Sequence, residues 1–140
     1  MTRRWQALNL SQEVQGAISR TSGEIIKGVQ GQLFNRGQDA TGKQLRGYKW
    51  ESYRQYKLTK NPADVTDLKD TGEFYKGFFV DVEADTFTID SEDDKAGKLE
   101  GQYGSAIFGM QPETRGNYAT GAFWRELKTR IEGKLKLKFV

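Results

Sequence analysis

Any chemistry in this chain has to be done without two of the most versatile side chains. Its 140 residues include no histidine and no cysteine. That excludes imidazole and thiolate catalysis, disulfides and the usual zinc sites. Three other motifs invite a chemical reading. Gly37 to Lys43 spells G-x-x-x-x-G-K, the core of a phosphate-binding loop whose backbone amides and lysine cradle phosphates. Such a loop follows a strand, opens a helix and carries Ser or Thr after the lysine. Here a helical pattern precedes it and Gln44 follows, which argues against nucleotide binding. Asp90, Glu92 and Asp94 imitate the first ligands of a calcium loop, but Lys95 stands where the loop needs glycine and Gly101 where it needs glutamate. Ser105 follows Gly104 with no base to activate it. We therefore expect no enzyme, no cofactor and no metal.

The segment Arg46 to Leu58 interleaves Tyr48, Trp50, Tyr53 and Tyr56 with Arg46, Lys49, Arg54 and Lys57. Such a surface would stack bases and neutralise phosphates, the property of a nucleic-acid-binding module over residues 46–57. The same spacing of three also suits the buried side of a short helix, and packing is the reading we favour.

The elements that would hold these residues follow from periodicity. Val14, Ile18, Ile25, Val29 and Leu33 form one stripe of an amphipathic helix over about residues 11–35, roughly 37 Å long, capped by Asn9 or Ser11. Gly16, Gly23, Gly28 and Gly31 lie within it and each costs up to about 1 kcal/mol relative to alanine, so packing from elsewhere must support it. Residues 35–48 read as a glycine-punctuated, mobile loop. Phe78–Glu83 and Thr86–Asp90 alternate as two antiparallel strands joined at Ala84-Asp85, and a short polar helix or turn follows near Ala96–Tyr103. Phe123, Trp124, Leu127, Ile131 and Leu135 form a basic closing helix with Thr120 as its cap. Leu135 to Val140 then alternates at period two, as an edge strand for its own sheet or a neighbour's.

Length and 36% hydrophobic content suit one α+β domain over 1–140, a small antiparallel sheet packed by the long N-terminal and the C-terminal helix. Residues 1–9 and 136–140 are expected to be flexible. No apolar run is long enough to span a membrane, and Met1-Thr2-Arg3-Arg4-Trp5 opens no signal peptide, so a soluble protein made in the cytoplasm is expected. Charge is segregated along the chain. Residues 1–60 carry 11 basic and 4 acidic side chains, 61–94 carry 2 and 11, and 95–140 carry 9 and 4. Subunits meeting positive edge to negative edge in a ring would use such an alternation. The candidate interface or lumen charges are Arg54, Lys57, Asp81, Glu83, Asp85, Arg125 and Lys128.

A long N-terminal helix, Gly47-Tyr48-Lys49-Trp50, Leu68-Lys69-Asp70-Thr71-Gly72-Glu73-Phe74, a hairpin, Lys98-Leu99-Glu100-Gly101-Gln102-Tyr103-Gly104 and a helix opened by Ala122-Phe123-Trp124 occur in this order. The series resembles the bacteriophage virion-morphogenesis or tail-completion family over about residues 11–135. The resemblance implies a structural subunit of a hexameric or dodecameric ring at the neck or tail end. That ring would bind connector or tail proteins in the virion, assemble in the host cytoplasm and pass DNA through its lumen without base-specific contact. It also implies that Trp50 and Leu68 are core anchors, that Thr71-Gly72 is the turn before the first strand, and that Tyr103 and Gly104 close the packing near the helix ends.

Overall fold

The apolar stripe of the N-terminal region folds as two helices laid end to end. The computed structural model describes residues 10–83 and 86–135. Helix α1 is Leu10–Arg20 and α2 is Ser22–Gly31, and the chain then continues into a wide helical turn over Gln32–Arg36. Ser11 lies inside α1 rather than capping it, and Asn9 lies outside the described residues. The join falls at Thr21, whose hydroxyl donates to Ala17 O at 2.7 Å and lies 2.6 Å from Tyr118 Oη. A threonine bonding back to the preceding turn loosens helical continuity there. Ile18, Ile25, Val29 and Leu33 are buried as the stripe requires. Gly28 admits a neighbour closely: a Cβ there would sit 2.7 Å from Thr114 Cγ2.

Gly37 ends this helical stretch in the left-handed region, φ 60°, with its N–H bonded to Leu33 O. The loop that follows is tied back to the chain at several points. Ala40 N donates to Ala106 O at 2.9 Å and Leu45 N to Gly37 O at 2.8 Å, and Leu45 is buried. Asp39 Oδ1 accepts from Thr41 N, Thr41 Oγ1 and Lys43 N at 2.9, 2.6 and 3.1 Å. The amides that a phosphate loop would offer a ligand are thus partly taken by the chain's own carboxylate.

Helix α3 is Glu51–Leu58, and after it residues 59–72 run without regular structure to the one-turn helix α4, Glu73–Lys76. Thr71-Gly72 therefore precedes that turn of helix rather than the first strand directly; Gly72, with φ 93°, opens it. Strands β1 (Phe78–Glu83) and β2 (Thr86–Ser91) pair antiparallel, Val80 opposite Ile89 and Glu83 opposite Thr86. The predicted turn Ala84-Asp85 lies outside the described residues. Helix α5 is Ala96–Tyr103, closed at Gly104 with φ 91°, and a tight turn Ser105–Phe108 buries Ile107 and Phe108.

The final helical stretch starts earlier than the periodicity predicts. Helix α6 is Pro112–Tyr118, with proline in its first turn where a missing N–H costs nothing. A wide turn Ala119–Phe123 leads into α7, Trp124–Leu135. Thr120 sits within this stretch, its hydroxyl bonded to Gly116 O at 2.9 Å, and caps nothing. Helix α7 packs on α1, where Arg130 Nε reaches the buried Glu13 Oε1 at 3.1 Å.

The result is α+β: a two-stranded sheet carried on the N-terminal helices, with the core between them. Phe74, Phe78 and Phe108 stack pairwise there at 5.0 to 5.8 Å between centroids. A lone hairpin is marginal in water, so the apolar face of this one depends on those helices. Among the described residues no helix is long and apolar enough to cross a membrane. The expected tail strand at 136–140 and the segment 1–9 lie outside the described residues.

Candidate functional site

Three segments far apart in sequence meet around one cavity of about 410 Å³: Tyr48 with α3, the segment Thr66–Thr71, and α5. Leu68 and Leu99 line it with Phe74, and Tyr48, Tyr53 and Tyr103 add rings around them. Tyr48 and Tyr53 meet edge to face at 5.1 Å. Arg46 lies over the Tyr103 ring at 5.5 Å, a cation over a π-face. Lys69, Lys95 and Lys98 also line the cavity, Lys95 with Asp70 Oδ2 3.7 Å from its Nζ. The cavity therefore combines apolar side chains and three tyrosine rings with four lysines and two aspartates, Asp67 paired to Lys57 and Asp70 to Lys95. It is shaped to take an apolar or aromatic group with negative charge nearby.

The wall formed by residues 57–71 is held by a buried polar cluster. Lys57 is 6% exposed and Asp67 1%, and Lys57 Nζ bonds Asp67 Oδ1 at 2.9 Å and also Lys69 O. Asn61 Nδ2 donates to Asp67 Oδ2 at 2.9 Å and to Phe34 O at 2.6 Å, so the wall is tied to the end of the N-terminal helical stretch. Tyr75 Oη donates to Asp67 O, and Lys69 N to Asp67 Oδ1 at 2.9 Å. Leu68 sits in the left-handed region, φ 59°, held there by bonds on both sides. Burial, together with the nearby Asp67 charge, pushes the Tyr48 and Tyr75 phenols well above the ordinary tyrosine range.

Of the motif residues, Leu68, Thr71 and Tyr103 line the cavity, Gly72 and Gly104 make the left-handed turns beside it, and Trp50 does not take part. Trp50 is 66% exposed rather than a core anchor. Its backbone is extended (φ −109°, ψ 127°) at the cap of α3, so its ring leaves the helical face that a spacing of three assumes. Tyr56, 53% exposed, falls one residue off the side that Lys57 turns inward. Of Trp50, Tyr53 and Tyr56 only Tyr53 lines the cavity, so the expected aromatic packing face is not formed.

The proposed interface charges do not form one patch. Lys57 is unavailable at any surface, because Asp67 draws it into the interior. Arg54 is spent locally, forked onto Asp64 at 2.9 and 2.5 Å and bonded to Glu51 at 2.7 Å. Asp81 and Glu83 are exposed on the outer face of the hairpin, and Asp85 lies outside the described residues. Arg125 is exposed at the start of α7, beside a polar groove of about 770 Å³ between α2 and α6, and Lys128 is half-buried one turn on. The sequence reading missed Lys57, Asn61 and Asp67 as a unit. Nothing local in the sequence marks that lysine as buried.

Compared with known proteins, the chain matches no protein-family model, no curated protein and no solved structure.

Proposed function

We propose that this chain is a structural subunit of a bacteriophage virion, forming a ring at the head-to-tail junction or the tail end. What supports this reading above all is that the Tyr48, Leu68–Thr71 and Leu99–Tyr103 segments, which carry the family-like pattern in sequence, line one cavity. The charge-segregated sequence and the exposed acidic face of the hairpin suit assembly by surface contact. Its partners are then further copies of itself and the connector or tail proteins, with DNA passing through the lumen by non-specific contact. Adding the purified protein to separate filled heads and tails from particles made without it, and viewing the products by electron microscopy, tests this. Joined particles with an added ring are expected. A chain that stays monomeric at every concentration and leaves heads and tails apart overturns the reading.

A second reading, nucleic-acid binding through residues 46–57, draws on the exposure of Trp50, Tyr53 and Tyr56. Lys49 lies over the Trp50 ring at 5.3 Å and Lys60 over Tyr56 at 5.7 Å, which joins stacking faces to cations. It predicts DNA binding that weakens steeply with salt and is lost in Trp50→Ala/Tyr56→Ala.

A further inference from the structure

The hairpin's backbone leaves two ladders open. Glu92 N donates to Gly77 O at 2.9 Å, and the pairing continues Phe79 with Asp90, Asp81 with Thr88 and Glu83 with Thr86. Hydrogen-bonded pairs alternate along an antiparallel ladder, so the backbone groups of Val80 and Val82 on β1, and of Phe87 and Ile89 on β2, point away from the hairpin. Among the described residues none of these four has a backbone partner beyond it. The two edges differ. Phe87, Thr88 and Ile89 on β2 flank a concavity of about 460 Å³ shared with Phe108, Gly109 and Arg115, so the chain's own turn borders that edge. The β1 edge carries acid: Asp81 and Glu83 are exposed on its outer face, while Val80 and Val82 are half-buried on the other.

The sequence contains a strand cut to this pattern. In Leu135-Lys136-Leu137-Lys138-Phe139-Val140 the lysines alternate with apolar residues. Laid along β1, Lys136 and Lys138 fall on the face of Asp81 and Glu83, and Leu137 and Phe139 on the face of Val80 and Val82. A slip of one residue would put lysines on the apolar face, so only even slips keep the match, and with the strand antiparallel to β1 Lys138 falls beside Asp81 and Lys136 beside Glu83. Two β1 edges repel each other through their carboxylates, which guards against hairpin-to-hairpin pairing yet selects a lysine-bearing strand.

We propose that residues 136–140 of one copy add as a third strand to the β1 edge of a second copy. The choice of a second copy rests on the reading of the chain as a ring subunit. The contact is head to tail, the kind that closes into a ring when its rotation allows and otherwise propagates.

The absence of native cysteine makes the test clean. Asp81→Cys copies mixed with Lys138→Cys copies are expected to give a disulfide-linked dimer under mild oxidation, and Thr88→Cys copies, reporting on β2, are not. Reversal in Lys136→Glu/Lys138→Glu should weaken self-association about tenfold, and Asp81→Lys/Glu83→Lys on the same chain should restore it. Association indifferent to this reversal overturns the proposal and leaves the ring reading standing. So does a bridge that forms only within one chain of the Asp81→Cys/Lys138→Cys double variant. If the protein forms no ring, a synthetic peptide of residues 135–140 still separates the two ideas. Salt-sensitive binding to the Lys136→Glu/Lys138→Glu chain, lost in Asp81→Lys/Glu83→Lys, supports strand addition, and no binding overturns it.

Discussion

Lys57 on α3 and Asp67 on the following irregular segment form an ion pair with both side chains buried, Nζ to Oδ1 2.9 Å. Among the described residues it is the one pair so placed; every other pair has at least one side chain about one-third exposed or more. A charge pair out of water persists only when its remaining donors and acceptors are also used. Here Asn61, Lys69 N and Lys69 O use them.

Removing one member should therefore cost more than the pair itself is worth. Lys57→Met leaves Asp67 buried and facing Asn61 alone on the side-chain side, and a loss of about 3 kcal/mol is expected. The check is the urea midpoint at constant m-value, with Arg54→Met as the control. Arg54 pairs on the surface, where solvent screens the charges, and its loss should move the midpoint far less.

Gly37→Ala is expected to destabilise by about 2 kcal/mol, because it places a Cβ in the left-handed region and against Val65. That Cβ would lie 2.6 Å from Val65 Cβ and 3.0 Å from the Thr66 carbonyl oxygen, neither of which is a flexible chain end. Gly42→Ala is the contrast: φ is +82° there too, but nothing lies within 4 Å, so strain acts alone and the loss should be smaller. Thermal melts of the two variants measure the difference.

These two sites mark how far the sequence could be read. The helices of residues 10–31 and the hairpin follow from apolar spacing, although the N-terminal stripe was expected as one helix, and α3 and α5 lie where short helices were expected. Leu68, Thr71 and Tyr103, singled out by motif order as core anchor, turn and packing residue, all line the cavity, which the sequence itself did not announce. Lys57 was not legible, because its burial depends on Asp67 ten residues away, and periodicity treats every lysine as solvent-facing. Trp50 misled for the opposite reason: a bulky ring counts as core in any pattern, yet the extended backbone at the cap of α3 turns it outward. Gly37-x-x-x-x-Gly42-Lys43 was rejected on context, and in the structure Asp39 Oδ1 accepts from the Thr41 and Lys43 amides.

Stability should fall at both extremes of pH, for different groups. The Asp39 carboxyl is held below its ordinary value of 3.8: burial raises it, but the bonds from Thr41 and Lys43 and the Lys43 charge together prevail. A depressed carboxyl stabilises above its unfolded pKa, and that contribution is lost as the pH falls through the folded one. Tyr48 and Tyr75 are raised above 10.0 by burial and by Asp67, so their contribution is complete below pH 10.0 and is lost as the pH rises above it. Urea midpoints against pH should show an acid limb flattened in Asp39→Asn. They should also show an alkaline limb accompanied by late tyrosinate absorbance. With no histidine, side chains contribute little slope from about pH 6 to 9.

Trp50→Ala and Tyr56→Ser should leave stability within about 0.5 kcal/mol of the parent, because both rings stand in solvent. Tryptophan fluorescence of the parent should also be partly quenched by acrylamide at an accessible site. A loss of several kcal/mol for Trp50→Ala would mean that the ring packs after all.

The stretch between α3 and α4 has no regular structure, yet its side chains are braced to a helix end by Asn61 and to a helix side by Lys57. A guest reaching the cavity beside it meets masonry rather than a curtain. Little chain has to be frozen on arrival, so recognition there should proceed with modest entropic cost and at rates set by encounter rather than by rearrangement.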